Sequence, residues 1–236
     1  MSKSFQIAID GPVAAGCSTV ARLLAERLGI LYIDTGAMYR TAALLAMRNN
    51  IDLEDEVKLT ELVKKSKIEL SKPLTTEKDG RLITISLNGE DISWQIRTDE
   101  VSKNVPVVAK HPKLREVLVK KQQQLAATDD VVMEGRDITY KVLPDADLKI
   151  FLTASDVVRA KRRHIQMQSR GKDLSFEETY QELLRRDKID TERSVDPLKI
   201  VADATVIDTS DLTINQVVDV IEAQVKAIKK VKLSGD

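Results

Sequence analysis

The sequence predicts an α/β fold in which a parallel sheet is flanked by helices. Five short apolar segments are each followed by a polar residue or glycine, as expected for buried parallel strands. Longer amphipathic segments separate them, and strands that alternate with helices imply right-handed crossovers and a parallel sheet. The predicted strands are residues 5–9, 30–33, 131–133, 148–152 and 204–207.

Several predicted helices have recognisable ends. The first follows the first strand, begins at Ser18 and stops at Gly29, a residue type that favours helix C-termini. A later helix begins at Ser175 with Glu178 three residues on, which is the spacing of a capping box. The last helix begins at Thr213 with a glutamine in the same relation.

Two segments depart from this alternation. In the first, residues 52–105, a charged helix is followed by "RLITISLNGEDIS", where Ile83, Ile85 and Leu87 alternate with residues 82, 84 and 86. This pattern predicts a half-exposed strand that ends in a turn at "NGED", within an inserted antiparallel unit that forms a separate subdomain. In the second, residues 155–175, a basic helix is broken by Gly171, as expected for a mobile arm over a phosphate site.

Composition narrows the functional class. The 236 residues suit one domain with insertions, and 37 Lys and Arg balance 37 Asp and Glu. Net charge therefore gives no reason to expect nucleic acid or a membrane surface as partner. One cysteine excludes an internal disulfide, two histidines with that cysteine cannot build a zinc site, and no segment approaches a membrane span. We expect a cytoplasmic protein, and a monomer.

The stretch "DGPVAAGCST" after the first strand is close to a phosphate-binding loop. Gly11, Gly16 and Ser18 fit G-x-x-x-x-G-K-[ST], but Cys17 stands where the lysine belongs. Such a loop between a strand and a helix lets backbone N–H groups converge on phosphate oxygens, with Ser18 at the Mg²⁺ position. A plain turn of small residues remains the alternative.

Three further motifs carry charged residues where ligands bind in open α/β folds. Each motif has a structural alternative without a ligand, in the order given below: an arginine on the surface, a solvated turn with adjacent opposite charges, and an exposed helix with salt bridges. The candidates are Arg40 in "DTGAMYR", Arg136 and Asp137 in "MEGRD", and Arg186, Asp190 and Arg193 in "RRDKIDTER", which share one face if the helix persists.

The motifs together resemble those of the bacterial cytidylate (CMP) kinases over nearly the whole chain. The phosphate loop, "YIDTGAMYR", "HPKLRE" and "GRDI...VLPDA.LKIFL" match in order and spacing, as do "EDIS..IRT.EV", "RRD..D..R...PL" and "A..IDTS.L...QVV". The resemblance implies an adenylate-kinase-like fold with a monophosphate-binding insert at about 52–105 and a short lid at about 155–175. It implies transfer of the ATP γ-phosphoryl group to CMP or dCMP with Mg²⁺.

The resemblance also implies roles for individual residues. ATP would be bound by Gly11, Ala14, Ala15, Gly16, Cys17, Ser18, Thr19, Arg159 and Arg162, with Ser18 also on the metal. CMP would be bound by Thr35, Arg40, Arg115, Arg136, Asp137, Arg186, Asp190 and Arg193; of these, Arg115 and Asp137 would read the cytosine edge and Asp190 would lie near the ribose. The catalytic cations would be Arg136, Arg159, Arg163 and Arg186; Lys141 is added to them as our own hypothesis, because it departs from the family pattern.

Three departures from the family pattern leave alternatives open. Pro106 stands where the family usually has a serine near the base, and Thr139, Tyr140 and Lys141 replace "GTV". Lys141 is either a relocated lysine that reaches the β- and γ-phosphates or a surface residue. Cys17 is either a reactive thiol that regulates nucleotide binding or a small residue that fits. The rival functions are a nucleotide-binding protein without turnover and a kinase for UMP or another monophosphate.

Overall fold

The computed structural model describes residues 4–74, 76–77, 79–81, 83–169 and 171–234. The elements in chain order are β1 (Gln6–Asp10), α1 (Cys17–Leu28), β2 (Leu31–Asp34), α2 (Thr35–Arg48), α3 (Glu56–Lys65), β3 (Ile68–Ser71), β4 (Thr84–Leu87), β5 (Glu90–Asp91), α4 (Asp99–Ala109), α5 (Pro112–Thr128), β6 (Val131–Gly135), β7 (Leu148–Thr153), α6 (Asp156–Gln168), α7 (Phe176–Glu192), β8 (Thr205–Asp208) and α8 (Ile214–Ser234). A 3₁₀ turn (Gln95–Arg97) precedes α4, and a π-helical turn (Ile138–Val142) follows β6.

The central sheet confirms the predicted α/β fold. Its strand order is β2-β6-β1-β7-β8, and every neighbouring pair is parallel. Strand β1 lies in the middle, with Ile7, Ala8 and Ile9 fully buried, which explains why it reads as a continuous apolar run. The five predicted segments all become strands of this sheet, displaced by no more than two residues at either end.

The predicted helix ends are also confirmed. Gly29 follows α1 in a left-handed conformation (φ 70°) that costs glycine little. Ser175 and Glu178 form a reciprocal capping box at the start of α7. At the start of α8, Thr213 N–H donates to the Gln216 side chain over 2.8 Å, and Gln216 N–H donates to the Thr213 hydroxyl over 3.3 Å.

The insert contains the expected antiparallel sheet, with order β3-β4-β5. Ile83, Ile85 and Leu87 are buried, so the alternation in the sequence reports one buried face. Asn88 (φ 52°) and Gly89 (φ 88°) form the two-residue turn that joins β4 to β5. Leu82, which the predicted strand included, lies outside the described residues. That the insert is a separate subdomain stays a prediction.

The carboxyl ends of the strands meet at one edge of the sheet, and the loops there are held by buried polar contacts. Asp10, at the end of β1, accepts hydrogen bonds from the backbone N–H groups of Ile138 (3.0 Å) and Thr139 (2.8 Å) and from the Thr139 hydroxyl (2.7 Å). Burial raises the pKa of Asp10 to about 6. These bonds fix the π-helical turn against β1. No helix in the described ranges is long and apolar enough to cross a membrane.

Candidate active site

The loop between β1 and α1 has the geometry of a phosphate-binding loop. Ala14 (φ 62°) and Gly16 (φ 103°) have left-handed backbones that turn the chain into α1. A Cβ on Gly11 would lie 2.4 Å from the Leu152 carbonyl oxygen and 2.8 Å from Cys17 Sγ, so only glycine fits there. No side chain in the described part of the chain caps the N-terminus of α1, and its first turn contains no acidic residue. This helix end is therefore suited to an anion.

A cavity of about 370 Å³ opens at the same edge of the sheet. It is bounded by the phosphate loop, α2, α4, the end of β6, α6 and α7. Seven arginines and four acidic residues line it: Arg40, Arg97, Arg115, Arg136, Arg163, Arg186 and Arg193, with Asp34, Glu134, Asp137 and Asp190. The excess of fixed positive charge favours a ligand with several negative charges.

Two of the arginines have buried N–H groups without a hydrogen-bond partner. One is Nε of Arg186, and burial together with the neighbouring charge of Arg136 lowers the pKa of Arg186 to about 10. The other is Nη1 of Arg40, which lies 3.7 Å from Oδ2 of Asp34, beyond hydrogen-bond distance. Buried donors of this kind are costly unless a ligand satisfies them, so both groups point to a bound oxyanion.

One end of the cavity holds a pre-oriented ion pair. Arg115 is bound to the carboxylate of Asp137, donates from Nε to Asp196 over 2.8 Å, and lies 5.2 Å above the ring of Tyr39. Burial raises the pKa of Asp137, while Arg115 opposes the shift. The pair presents both a donor group and an acceptor group to the cavity, as the recognition of a polar ring edge requires. Its predicted contact with cytosine stays a prediction.

Arg186, Asp190 and Arg193, the three residues predicted from "RRDKIDTER", all line the cavity, but they do not form one helix face. Helix α7 ends at Glu192, and Arg193 is its C-cap residue, with Nε donating to the Asp196 carbonyl over 2.7 Å. Asp190 accepts from Arg136 Nε over 2.8 Å, and this bond joins α7 to the end of β6. The shared face required a helix that persists through Arg193, and this condition is not met because the chain leaves the helix one residue earlier.

A buried carboxylate that sequence analysis missed lies beside the phosphate loop. Glu134, on β6, accepts from the Ser18 hydroxyl over 2.9 Å and from the Tyr32 hydroxyl over 3.4 Å. Burial and the nearby carboxylate of Asp34 raise the pKa of Glu134 to about 7. The sequence does contain a signal for this residue, because an acidic residue directly precedes Gly135 at the end of a predicted buried strand.

The Ser18–Glu134 pair fits a magnesium ion better than a transition metal. Both groups offer oxygen, which Mg²⁺ prefers, and Mg²⁺ in kinases is held by one or two protein groups together with substrate phosphates. The described residues contain no cluster of three or more His, Cys, Asp or Glu able to hold a metal by themselves. The donor set therefore agrees with a metal that arrives with a nucleotide.

Lys141 does not line the cavity. Its side chain is 43% exposed and Nζ lies 3.7 Å from Oδ1 of Asp196. Asp10 holds the π-helical turn that carries Lys141 against β1, and the Lys141 side chain pairs with Asp196 rather than lining the cavity beside the phosphate loop. The hypothesis that Lys141 replaces the missing loop lysine is therefore wrong.

The two arginines predicted to bind ATP, Arg159 and Arg162, do not line the cavity. Arg159 is only 4% exposed; Nη1 donates to Asp187 (2.6 Å) and to the Val13 carbonyl (3.1 Å), so it supports the phosphate loop from behind. Arg162 donates to the hydroxyl and carbonyl of Thr209. Neither lines the cavity, whereas Arg163 does. Direct roles for Arg159 and Arg162 at the phosphates are not supported.

The remaining predicted residues divide by position. Gly11 and Ala15 are buried behind the loop, where Gly11 fits against β7 and the Ala15 carbonyl accepts from Thr209 over 3.1 Å.

Burial and the charge of Glu134 raise the pKa of the Cys17 thiol to about 12, which contradicts a reactive cysteine. The predicted residues that line the cavity are Ala14, Gly16, Cys17, Ser18, Thr19, Thr35, Arg40, Arg115, Arg136, Asp137, Arg163, Arg186, Asp190 and Arg193.

Comparison with known proteins agrees with this architecture. The cytidylate kinase family model matches residues 7–227. The cytidylate kinase of Bacillus subtilis (strain 168) is 50% identical over 219 residues, 93% of this chain and 95% of that protein. That of Bacillus cereus (strain ATCC 10987 / NRS 248) is 47% identical over 228 residues, 97% and 99% of the two chains. A solved structure of an uncharacterized protein from Eubacterium ventriosum has a similar fold, with TM-score 0.51, 14% identity and coverage of 96% and 99%. The chain therefore belongs to the cytidylate kinase family, whose members are phosphotransferases.

Proposed function

We propose that this protein transfers the γ-phosphoryl group of ATP to CMP or dCMP and releases ADP with CDP or dCDP. The observation that carries the proposal is the arginine-rich cavity beside a phosphate-binding loop, in which Arg40 and Arg186 hold buried donors without partners. Relatives of about half identity over nearly the whole chain support the choice of a cytidylate acceptor.

The acceptor nucleotide occupies the side of the cavity away from the phosphate loop. The Arg40 and Arg186 guanidinium groups bind the phosphate of CMP, together with Arg136, which Asp190 orients. Gly36 leaves space for this arrangement, since a Cβ there would lie 3.1 Å from Arg40 Nη1. The Arg115–Asp137 pair binds the base, and Asp190 lies near the ribose. Fixed arginine forks suit this task because each binds two phosphate oxygens in one plane.

The donor phosphates lie on the N-terminus of α1. The backbone N–H groups of Ala14, Gly16, Cys17 and Ser18 bind phosphate oxygens, and Arg163 approaches from α6. Ser18 and Glu134 hold Mg²⁺, which when bound neutralises charge on the phosphate oxygens. Phosphoryl transfer needs mainly alignment of the two nucleotides and positive charge around the group in transit. The arginines of the cavity supply both in the absence of a loop lysine.

The test is steady-state phosphorylation of CMP, dCMP and UMP by Mg-ATP. We expect turnover of CMP and dCMP, and a fall of at least a hundredfold in kcat/KM for Arg186→Met, because one positioned donor contributes ~3 kcal/mol to the transition state. Lys141→Ala is the matched control and should leave turnover unchanged, since Lys141 lies outside the cavity.

The same experiment separates the rival functions. Binding of CMP and ATP without product would identify a nucleotide-binding protein that has no turnover. Faster turnover of UMP than of CMP would identify UMP as the preferred acceptor. We further propose that the protein is a cytoplasmic monomer, and sedimentation of the purified protein tests the oligomeric state.

A further inference from the structure

Helix α4 presents a proline to the nucleotide cavity. Ser102, Val105, Pro106 and Ala109 all line it, and their spacing of i, i+3, i+4 and i+7 places them on one face of the helix. Pro106 lies in the interior of α4 rather than in its first turn, where proline is normally tolerated. An interior proline on a ligand-facing stripe therefore calls for a functional explanation.

The proline changes the hydrogen bonding of a main-chain carbonyl. In a regular helix the carbonyl of Ser102 would accept from the N–H group of residue 106, but proline has no N–H. The proline ring also pushes this carbonyl outward on its own side of the helix, which here is the side of the cavity. The Ser102 carbonyl oxygen therefore loses its usual helical donor on the side of α4 that lines the cavity, and a carbonyl in this situation favours another donor.

The other end of the stripe is already occupied. The Ala109 carbonyl accepts from Arg115 Nη1 over 3.2 Å, and Arg115 forms the ion pair with Asp137. Ser102 and Ala109 are separated by about 10 Å along the helix axis at 1.5 Å per residue. That separation leaves room for one six-membered ring, with a hydrogen bond of about 2.9 Å at each edge.

We infer that the Ser102 carbonyl oxygen accepts a hydrogen bond from the exocyclic 4-amino group of the cytosine ring, with Pro106 as the positioning residue that leaves this oxygen available. The inference rests on the proposed function, because it takes the ring between Arg115 and α4 to be that of the acceptor nucleotide. Cytosine offers an N–H₂ donor at this position, whereas uracil offers an oxygen acceptor. A carbonyl oxygen binds the first and repels the second, so the proline selects for cytidylate over uridylate.

Equilibrium binding by calorimetry tests this without requiring turnover. The probes are CMP, UMP and the 5′-monophosphate of pyrimidin-2-one riboside, which lacks any group at position 4. Pro106→Ala supplies the missing N–H, so we expect CMP to bind about tenfold more weakly while the pyrimidin-2-one nucleotide binds as before. Alanine is the strongest helix former, so the variant keeps α4 folded. Pro112→Ala, at the first position of α5, is the matched proline control and should change neither affinity.

Ser102→Ala distinguishes the main-chain carbonyl from the serine hydroxyl. Because the carbonyl remains, the ratio of CMP to pyrimidin-2-one affinity should persist in this variant. Loss of that ratio in Ser102→Ala, or its retention in Pro106→Ala, would overturn the inference.

Its failure is distinguishable from failure of the proposed function. CMP turnover together with an unchanged ratio in Pro106→Ala refutes the inference alone. A tenfold loss in Pro106→Ala without any phosphorylation by the wild type supports base recognition and refutes the kinase activity. Failure of wild-type protein to bind CMP refutes both.

Discussion

Replacing Cys17 by lysine should convert this site into a faster kinase. Cys17 is the first residue of α1 and lines the cavity, with Glu134 and Asp10 as acidic neighbours and Arg136 as a basic one. The introduced ammonium group, on a flexible four-carbon stem, would extend from the helix N-terminus toward the donor phosphates. Because two carboxylates and only one guanidinium lie near position 17, the local electrostatics tolerate a cation there.

The expected gain follows from the value of one positioned charge. A donor directed at charge that develops in the transition state contributes ~3–4 kcal/mol, so kcat should rise roughly a hundred- to thousandfold. The larger side chain must pass close to Gly11, where space is limited. We therefore expect Cys17→Lys also to lower the free energy of unfolding, by about 1–3 kcal/mol.

The assay is kcat for CMP at saturating Mg-ATP, with the unfolding free energy of each variant measured in urea. Cys17→Met is the matched control because it has a long flexible side chain without charge, and it should show the stability loss without the rate gain. Cys17→Ala should resemble the wild type in rate. A kcat for Cys17→Lys within threefold of wild type, in a folded protein, would refute the reasoning. It would mean that the arginines already supply all the positive charge that transfer requires.

Three further predictions concern stability and reactivity. Arg159→Met should lower the free energy of unfolding in urea by about 3 kcal/mol, because it removes a buried guanidinium and leaves its partly buried partner Asp187 uncompensated. Arg22→Met, in an exposed pair, should cost under ~1 kcal/mol, and equal losses in the two variants would contradict the buried role of Arg159. The pKa of Asp10 is about 6 in the folded state and 3.8 in the unfolded state, so its contribution to stability is largest below pH 3.8 and is lost as the pH rises through about 6, by roughly 3 kcal/mol. Asp10→Asn should remove this pH-dependent loss. A pH profile of urea unfolding that is the same in Asp10→Asn and wild type would refute the prediction. The Cys17 thiol should resist alkylation by iodoacetamide at about pH 8 in the folded protein and react on unfolding, whereas rapid native labelling would show a thiolate that the structure does not support.

Local patterns in the sequence were sufficient for the fold. The strand β1 reads as a buried parallel strand because both faces are covered, and the caps at Ser175 and Thr213 depend only on residues three apart. The phosphate loop and the arginine after β6 could be placed as well, since the carboxyl ends of parallel strands share one edge of the sheet. These features follow from short-range chemistry and the rules of strand connection.

Tertiary structure alone decided which charged groups face the nucleotide cavity. Arg162 and Arg163 are neighbours on α6, but successive residues of a helix point about 100° apart, and only packing against the β8 loop turns Arg163 inward. Lys141 lies on the π-helical turn that buried bonds to Asp10 hold against β1, and it does not line the cavity; these bonds join residues far apart in the chain. Glu134 meets Ser18 and Tyr32 across more than a hundred residues, through the parallel pairing of β6 with β1 and β2. The sequence determined which residues reach the active edge of the sheet, whereas the direction of each side chain depended on long-range contacts that no local pattern encodes.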